Sequence, residues 1–169
     1  SNDKQFVTAG HCGHEGSNNW YHQGLPANGF LGAETATLYP SVLDMMRVQM
    51  PNPQASRRIY GNSFEVTSER NQIPGETMCA SLGVTSNVDC GTVGNQSQYY
   101  DALVGKYFYA YTYSGISATN GDSGAPFYTV TGSGNIALGT MIGETCETCT
   151  TGWFANLHSA LAVWGWHLY

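Results

Sequence analysis

The sequence predicts an all-β protein of many short strands that ends in one helix. Three observations carry this. Gly occurs 21 times and Tyr 11 times, Thr, Ser, Val and Asn recur, and only 11% of residues are charged; that mix favours short strands and turns over long helices. In Tyr107-Phe108-Tyr109-Ala110-Tyr111-Thr112-Tyr113 the odd positions are all tyrosine, a period-two pattern that marks a strand. In the tail, Phe154, Leu157, Leu161, Trp164 and Leu168 recur at three- and four-residue spacing, the apolar stripe of a helix ending near Gly165.

Taken in order, Gln5 to Ala9 reads as a strand. Gly13 to Gly29 is polar and Gly/Asn-rich, so it reads as loop, and Phe30 to Leu38 as a strand. The second half of Val42–Met50 alternates Met46, Val48 and Met50 with Arg47 and Gln49, a half-buried strand that Pro51-Asn52-Pro53 terminates. Ile59-Tyr60 and Phe64-Glu65-Val66 are short strand candidates. Asn71-Gln72-Ile73-Pro74-Gly75 suits a crossing between two halves, 1–72 and 73–169. Hairpin-like runs follow at Met78–Leu82, Val88–Val93, Lys106–Tyr113, Ala125–Val130 and Asn135–Ile142.

The formal net charge is −6 with six Lys+Arg. No basic stripe is present, which argues against a nucleic-acid partner. No apolar run reaches the length of a membrane span, so no membrane role is expected. The five cysteines are Cys12, Cys79, Cys90, Cys146 and Cys149. Cys79 and Cys90 flank a hairpin-like segment, where a bridge would contribute on the order of 3 kcal/mol. Disulfides imply an oxidising compartment, so secretion is expected. Cys146-Glu147-Thr148-Cys149 is a C-x-x-C with three readings: a redox dithiol, half of a zinc site completed by Cys12 and His14, or a local disulfide. No βαβ pattern surrounds it, and the local disulfide is preferred.

The chemistry concentrates in two segments. Gly121-Asp122-Ser123-Gly124-Ala125-Pro126 sets a serine between glycines, where a tight turn can expose it. Thr8-Ala9-Gly10-His11-Cys12 offers a histidine 112 residues upstream. A serine hydroxyl becomes a strong nucleophile when a histidine takes its proton and backbone N–H groups hold the oxyanion. A histidine titrates near neutrality and can act first as base and then as acid, so activity is expected to rise somewhere around pH 6 to 8. His14, His22, His158 and His167 are the competing histidines, and none sits in a comparable motif.

Together the two segments resemble the signature motifs of chymotrypsin-like serine peptidases, in the bacterial branch typified by alpha-lytic protease and the streptogrisins. The resemblance runs from about Phe6 to the C-terminus. It implies two six-stranded antiparallel β-barrels followed by a C-terminal helix, with His11 and Asp44 on the first barrel and Ser123 on the second. Only ten residues precede His11; the family carries further strands there, so the first barrel is expected to lack its N-terminal strands and Cys12 to be the odd thiol. Asp44 opens the run Asp44-Met45-Met46-Arg47-Val48, which resembles the family's aspartate before a buried strand. Asp89 and Asp101 are its competitors.

By the same resemblance, the oxyanion hole uses the N–H groups of Gly121 and Ser123. Asp122 shapes that loop, although Ala80 stands where relatives often supply an arginine. Gly75 to Val93 resembles a disulfide-closed hairpin. Substrate lies along Ile142-Gly143-Glu144 as an added strand; Ile142 replaces a serine and Glu144 a glycine. The pocket draws on Ser117, Asn120 and Thr151-Gly152-Trp153, with no aspartate near Ser117 to form a trypsin-like base. The implied activity is that of a monomeric, cofactor-free serine endopeptidase acting on peptides or proteins. The alternative is a catalytically silent homologue that binds peptide.

Overall fold

The computed structural model describes residues 4–14, 19–21, 29–51, 57–146, 149–166 and 168. Two sheets account for the strands. The first is β1 (Lys4–Thr8), β4 (Met46–Met50), β3 (Phe30–Thr37) and β2 (Asn19–Tyr21), antiparallel in the order β1-β4-β3-β2. The second contains β6 (Thr77–Leu82), β7 (Asn87–Asp101), β8 (Lys106–Ser114), β9 (Pro126–Thr131), β10 (Gly134–Glu144) and β11 (Thr151–Asn156). Its order is β11-β8-β7-β6-β9-β10, and β10 also pairs with β11, so six strands close into a ring. β5 (Val66–Glu69) adds to this sheet in parallel with β10, although it precedes the expected crossing at Asn71–Gly75.

Most expected strands form within a residue or two of their predicted bounds. Three differ. β2 falls inside the segment read as loop; its Trp20 meets Phe6 edge-on, with ring centroids 6.0 Å apart, so aromatic packing holds a strand that composition alone hides. β7 runs on to Asp101 through Asn95-Gln96-Ser97-Gln98, which is exposed and so carries no apolar signal. β11 takes Phe154 away from the expected helix stripe and stacks it on Phe127 at 4.8 Å. Ile59-Tyr60 forms no strand, and an isolated bridge joins the neighbouring Arg58 to Glu65.

Cys79 and Cys90 oppose each other across β6 and β7 and are bridged; Cys146 and Cys149 form a second, local disulfide. Cys12 is an exposed free thiol.

The ring encloses Met78, Leu82, Tyr113, Phe127, Met141 and Phe154. A second cluster lies on the seam between the sheets, where Ala9, Leu38, Leu43 and Met45 meet Ala110, Ile142 and Ala155. Two helices are short. α1 (His11–His14) follows β1, and α2 (Leu157–Trp164) follows β11. Asn156 caps α2, its side chain accepting from the Ser159 N–H at 2.6 Å. Gly165 ends it at φ 66°, and the Trp166 N–H returns to the Leu161 carbonyl at 2.8 Å. A side chain is strained at such a φ and glycine is not.

Leu157, Ala160 and Leu161 of α2 join the seam cluster. Beyond them, the Arg47 guanidinium of β4 lies 3.9 Å from the Trp166 ring centroid and 5.7 Å from that of Trp164. Its Nε also donates to Thr35 Oγ1 at 3.2 Å. The pair of cation–π contacts ties the tail to the first sheet. Arg47→Ala is therefore expected to cost about 1–2 kcal/mol, read as a lower urea midpoint, with Arg47→Lys recovering part of it. An unchanged midpoint would remove the clamp.

Candidate active site

The histidine turn is built by close packing. A Cβ on Gly10 would lie 2.4 Å from Tyr39 Cβ, 2.9 Å from the Met45 nitrogen and 3.1 Å from Asp44 Oδ1, so only glycine fits between β1 and the start of β4. That approach puts His11 against Asp44 twice. The His11 backbone N–H donates to Asp44 Oδ1 at 2.8 Å, and His11 Nδ1 lies 2.7 Å from Asp44 Oδ2. Asp44 is 1% exposed. Burial by itself would push the imidazole toward its neutral form. The hydrogen bonds and charges of Asp44 and Cys12 outweigh that and raise the His11 pKa from 6.5 to about 10. The bond at Nδ1 orients the ring and leaves Nε2 as the nitrogen available for proton transfer.

The serine turn is set by backbone. Gly121 and Gly124 have φ of 96° and 86°, the left-handed region that other residues rarely enter. The Gly124 N–H donates to the Met141 carbonyl at 2.8 Å, and the Met141 N–H to the Ala125 carbonyl at 2.9 Å, which moors the loop to β10. A Cβ on Gly124 would come 2.1 Å from Thr8 Oγ1, so the loop also sits directly on β1. Among the described residues, the N–H groups of Gly121 and Ser123 donate to no protein acceptor.

Asp122 is 1% exposed and needs no arginine. The backbone N–H groups of Val84 and Thr119 donate to its two carboxylate oxygens at 2.8 and 3.1 Å. Amides thus replace the cation that Ala80 cannot supply, and the bonds pin the serine loop to the β6–β7 turn and to the segment before it.

One cleft of about 320 Å³ brings His11 and Ser123 together with Asn120, Ile142, Gly143 and Glu144. Asp44 is buried behind His11. Ser117 is exposed, lies outside the lining residues, and donates its N–H to Asp89 Oδ2 at 2.7 Å. Asp89 thus serves the pocket loop. Asp101, the other competing aspartate, does reach the cleft, but its oxygens accept from the Tyr39 hydroxyl and the Leu103 N–H, each at 2.8 Å.

Ile142 is 3% exposed and belongs to the seam cluster, so it supplies apolar packing and no hydrogen bond to Asp44. Tyr99 is a wall that sequence reasoning missed. It packs on Gly143, where a Cβ would lie 3.5 Å from its ring, and its ring centroid is 5.2 Å from that of Trp153. Among the described residues, no group of His, Cys, Asp and Glu is arranged to hold a metal ion, and no helix is long and apolar enough to cross a membrane.

No family model and no curated protein sequence matches the chain. Solved structures do. A glutamic acid specific serine protease that uses a histidine triad in substrate binding superposes with a TM-score of 0.81 at 24% identity, covering 99% of this chain and 87% of its own. Protease A of Thermobifida fusca gives 0.70 at 25% identity over 96% and 83%, and a chymotrypsin of Cellulomonas bogoriensis 0.72 at 25% over 95% and 83%. The chain has the chymotrypsin-like fold of these bacterial serine proteases.

Proposed function

We propose that the chain is a secreted serine endopeptidase in which Ser123, His11 and Asp44 form the catalytic triad. The observation that carries the reading is the paired contact of His11 with Asp44 at the edge of a cleft that Ser123 also lines. The fold shared with serine proteases and the two disulfides support it.

In this reading His11 Nε2 takes the proton from Ser123 Oγ as that oxygen attacks the substrate carbonyl carbon. The Gly121 and Ser123 N–H groups receive the negative oxygen; losing one such donor costs about 3 kcal/mol of transition-state stabilisation in known cases. Collapse of the tetrahedral intermediate breaks the C–N bond, and the departing amine leaves with the proton from His11. Water, deprotonated by His11, then releases the acid from the acyl-enzyme. Asp44 stays ionised, holds the ring and stabilises the imidazolium.

The peptide would bind as an added strand. β9 pairs with β10 only as far as Thr140, opposite Pro126, while β11 continues along the other side to Glu144. Among the described residues no strand pairs with Ile142-Gly143 on its other edge, which suits main-chain pairing with substrate.

The test is intact mass after treatment with a fluorophosphonate. A single adduct on the folded wild type and none on Ser123→Ala is expected. A folded wild type that takes no adduct would overturn the reading in favour of a silent, peptide-binding homologue.

A further inference from the structure

His11 needs more than Asp44 to be aimed. The two bonds from Asp44 fix its backbone amide and Nδ1. They still tolerate a tilt of the imidazole, because the torsion that turns the ring about its Cβ is broad and soft. Tyr39 supplies a second contact. A Cβ on Gly10 would lie 2.4 Å from Tyr39 Cβ, so the backbone entering His11 rests on that side chain. The Tyr39 ring meets the imidazole edge to face, with centroids 6.5 Å apart and planes at 68°. It also stacks on Phe108 of β8, at 5.5 Å and 27°.

The Tyr39 ring is itself anchored. Its hydroxyl donates to Asp101 Oδ2 at 2.8 Å, and Asp101 is held in turn by the Leu103 N–H on Oδ1, also at 2.8 Å. Tyr39 is 4% exposed and Asp101 3%, so a polar atom left unpaired on either would be costly. Asp101 ends β7 and lines the cleft that His11 lines. Burial first, then the hydrogen bond and charge of Asp101, hold the Tyr39 phenol above its ordinary range. The hydroxyl therefore stays a donor at the alkaline pH where His11 gives up its proton.

Tyr39 also shares a closed loop with Asp44. The Leu38 N–H donates to the Met45 carbonyl at 2.9 Å, and the Ser41 and Val42 N–H groups both donate to the Leu38 carbonyl at 2.9 Å. One loop thus carries the carboxylate that holds Nδ1 and the aromatic ring that faces the imidazole.

We propose that Tyr39 and Asp101 are a positioning pair for His11: the hydrogen bond between them fixes the aromatic ring against which the imidazole is set, and so keeps Nε2 directed at the Ser123 hydroxyl. Neither residue moves a proton. This role rests on the endopeptidase reading and extends it to two residues that no local motif marks. A displacement of about 1 Å in such a site can cost about a hundredfold in rate, so a modest tilt of the ring is measurable.

The test is the rate of phosphonylation by a fluorophosphonate, read beside kcat, KM and the urea midpoint. Phosphonylation reports the aim of the base at Ser123 without a known substrate. Tyr39→Phe keeps the ring and deletes only the hydroxyl. It is expected to slow phosphonylation about tenfold and to lower kcat on a cleaved peptide by a similar factor, with KM within about twofold of wild type. Asp101→Ala removes the acceptor and should do the same, while Asp101→Asn, which keeps an acceptor oxygen in place, should recover most of the rate. The two residues act as one unit, so Tyr39→Phe combined with Asp101→Ala should be about as slow as the slower single variant.

Wild-type rates in folded Tyr39→Phe or folded Asp101→Ala, whatever the urea midpoint, would reduce the bond to a structural tie and overturn the pair while leaving the protease reading intact. Losses that multiply in the double variant would overturn it as well. Where one single variant does not fold, the other decides. A folded wild type that takes no adduct removes the protease reading, and the role of the pair falls with it.

Discussion

Ser123→Ala is expected to lower peptide hydrolysis by roughly 10⁴- to 10⁶-fold, the range over which serine proteases fall when the nucleophile is removed. The fold should survive. Ser123 is only partly buried, and its hydroxyl makes no hydrogen bond among the described residues. The loop keeps its shape through Gly121, through Gly124 on Met141, and through Asp122 on the Val84 and Thr119 amides. The decisive comparison is kcat/KM beside the urea midpoint. Lost turnover with an unchanged midpoint assigns the nucleophile. Turnover that persists in the variant removes Ser123 from that role.

The second large effect is expected from Asp44→Asn. An asparagine in the same space can still meet His11 but stabilises the wrong tautomer and no imidazolium, which costs about 10⁴ in kcat where the exchange is known in serine proteases. The pH profile carries a separate signature. In the wild type the His11 pKa is raised from 6.5 to about 10, against the pull of burial, mainly by Asp44 and Cys12. Only the neutral ring can accept the serine proton. The ascending limb of activity is therefore expected well above neutrality, not at the pH 6 to 8 that an unperturbed histidine suggests. In Asp44→Asn the limb should move to lower pH, because the main cause of the rise is gone.

Stability runs the other way. The His11–Asp44 pair contributes fully below about pH 6.5 and is lost as pH climbs through about 10, since the folded state holds the proton more tightly than the unfolded chain. Activity and stability should thus show opposite slopes across that window. Parallel slopes would sink the assignment of the limb to His11.

Much of this was legible in the sequence, for identifiable reasons. Gly121–Pro126 and Thr8–Cys12 carry their chemistry within a few neighbouring residues, so local reading finds them. Asp44 has no such motif. It is reached through its order between His11 and Ser123 and through the apolar run that it opens. The alternation of Tyr107–Tyr113 and the stripe from Leu157 to Trp164 are direct imprints of burial on one side.

What stayed hidden depends on pairing. Tyr99 and Asp101 enter the cleft because β7 runs on through Asn95-Gln96-Ser97-Gln98, and that polar, solvated stretch leaves no periodic trace. The bonds to Asp122 come from backbone amides, which every residue but proline possesses, so no side chain announces them.

The seam between the sheets has a consequence of its own. In the proposed triad His11 follows β1 and Asp44 precedes β4 of the first sheet, while the serine turn hangs from β10 of the second and rests through Gly124 on Thr8. Chemistry therefore requires the two halves to be docked, not merely folded. A small slippage along the contact of Ala9 and Met45 with Ile142 and Ala155 would part the proton acceptor from the hydroxyl while each sheet kept its own hydrogen bonds. The reaction rate then works as a gauge of the joint, more sensitive to its loosening than any spectrum of the backbone.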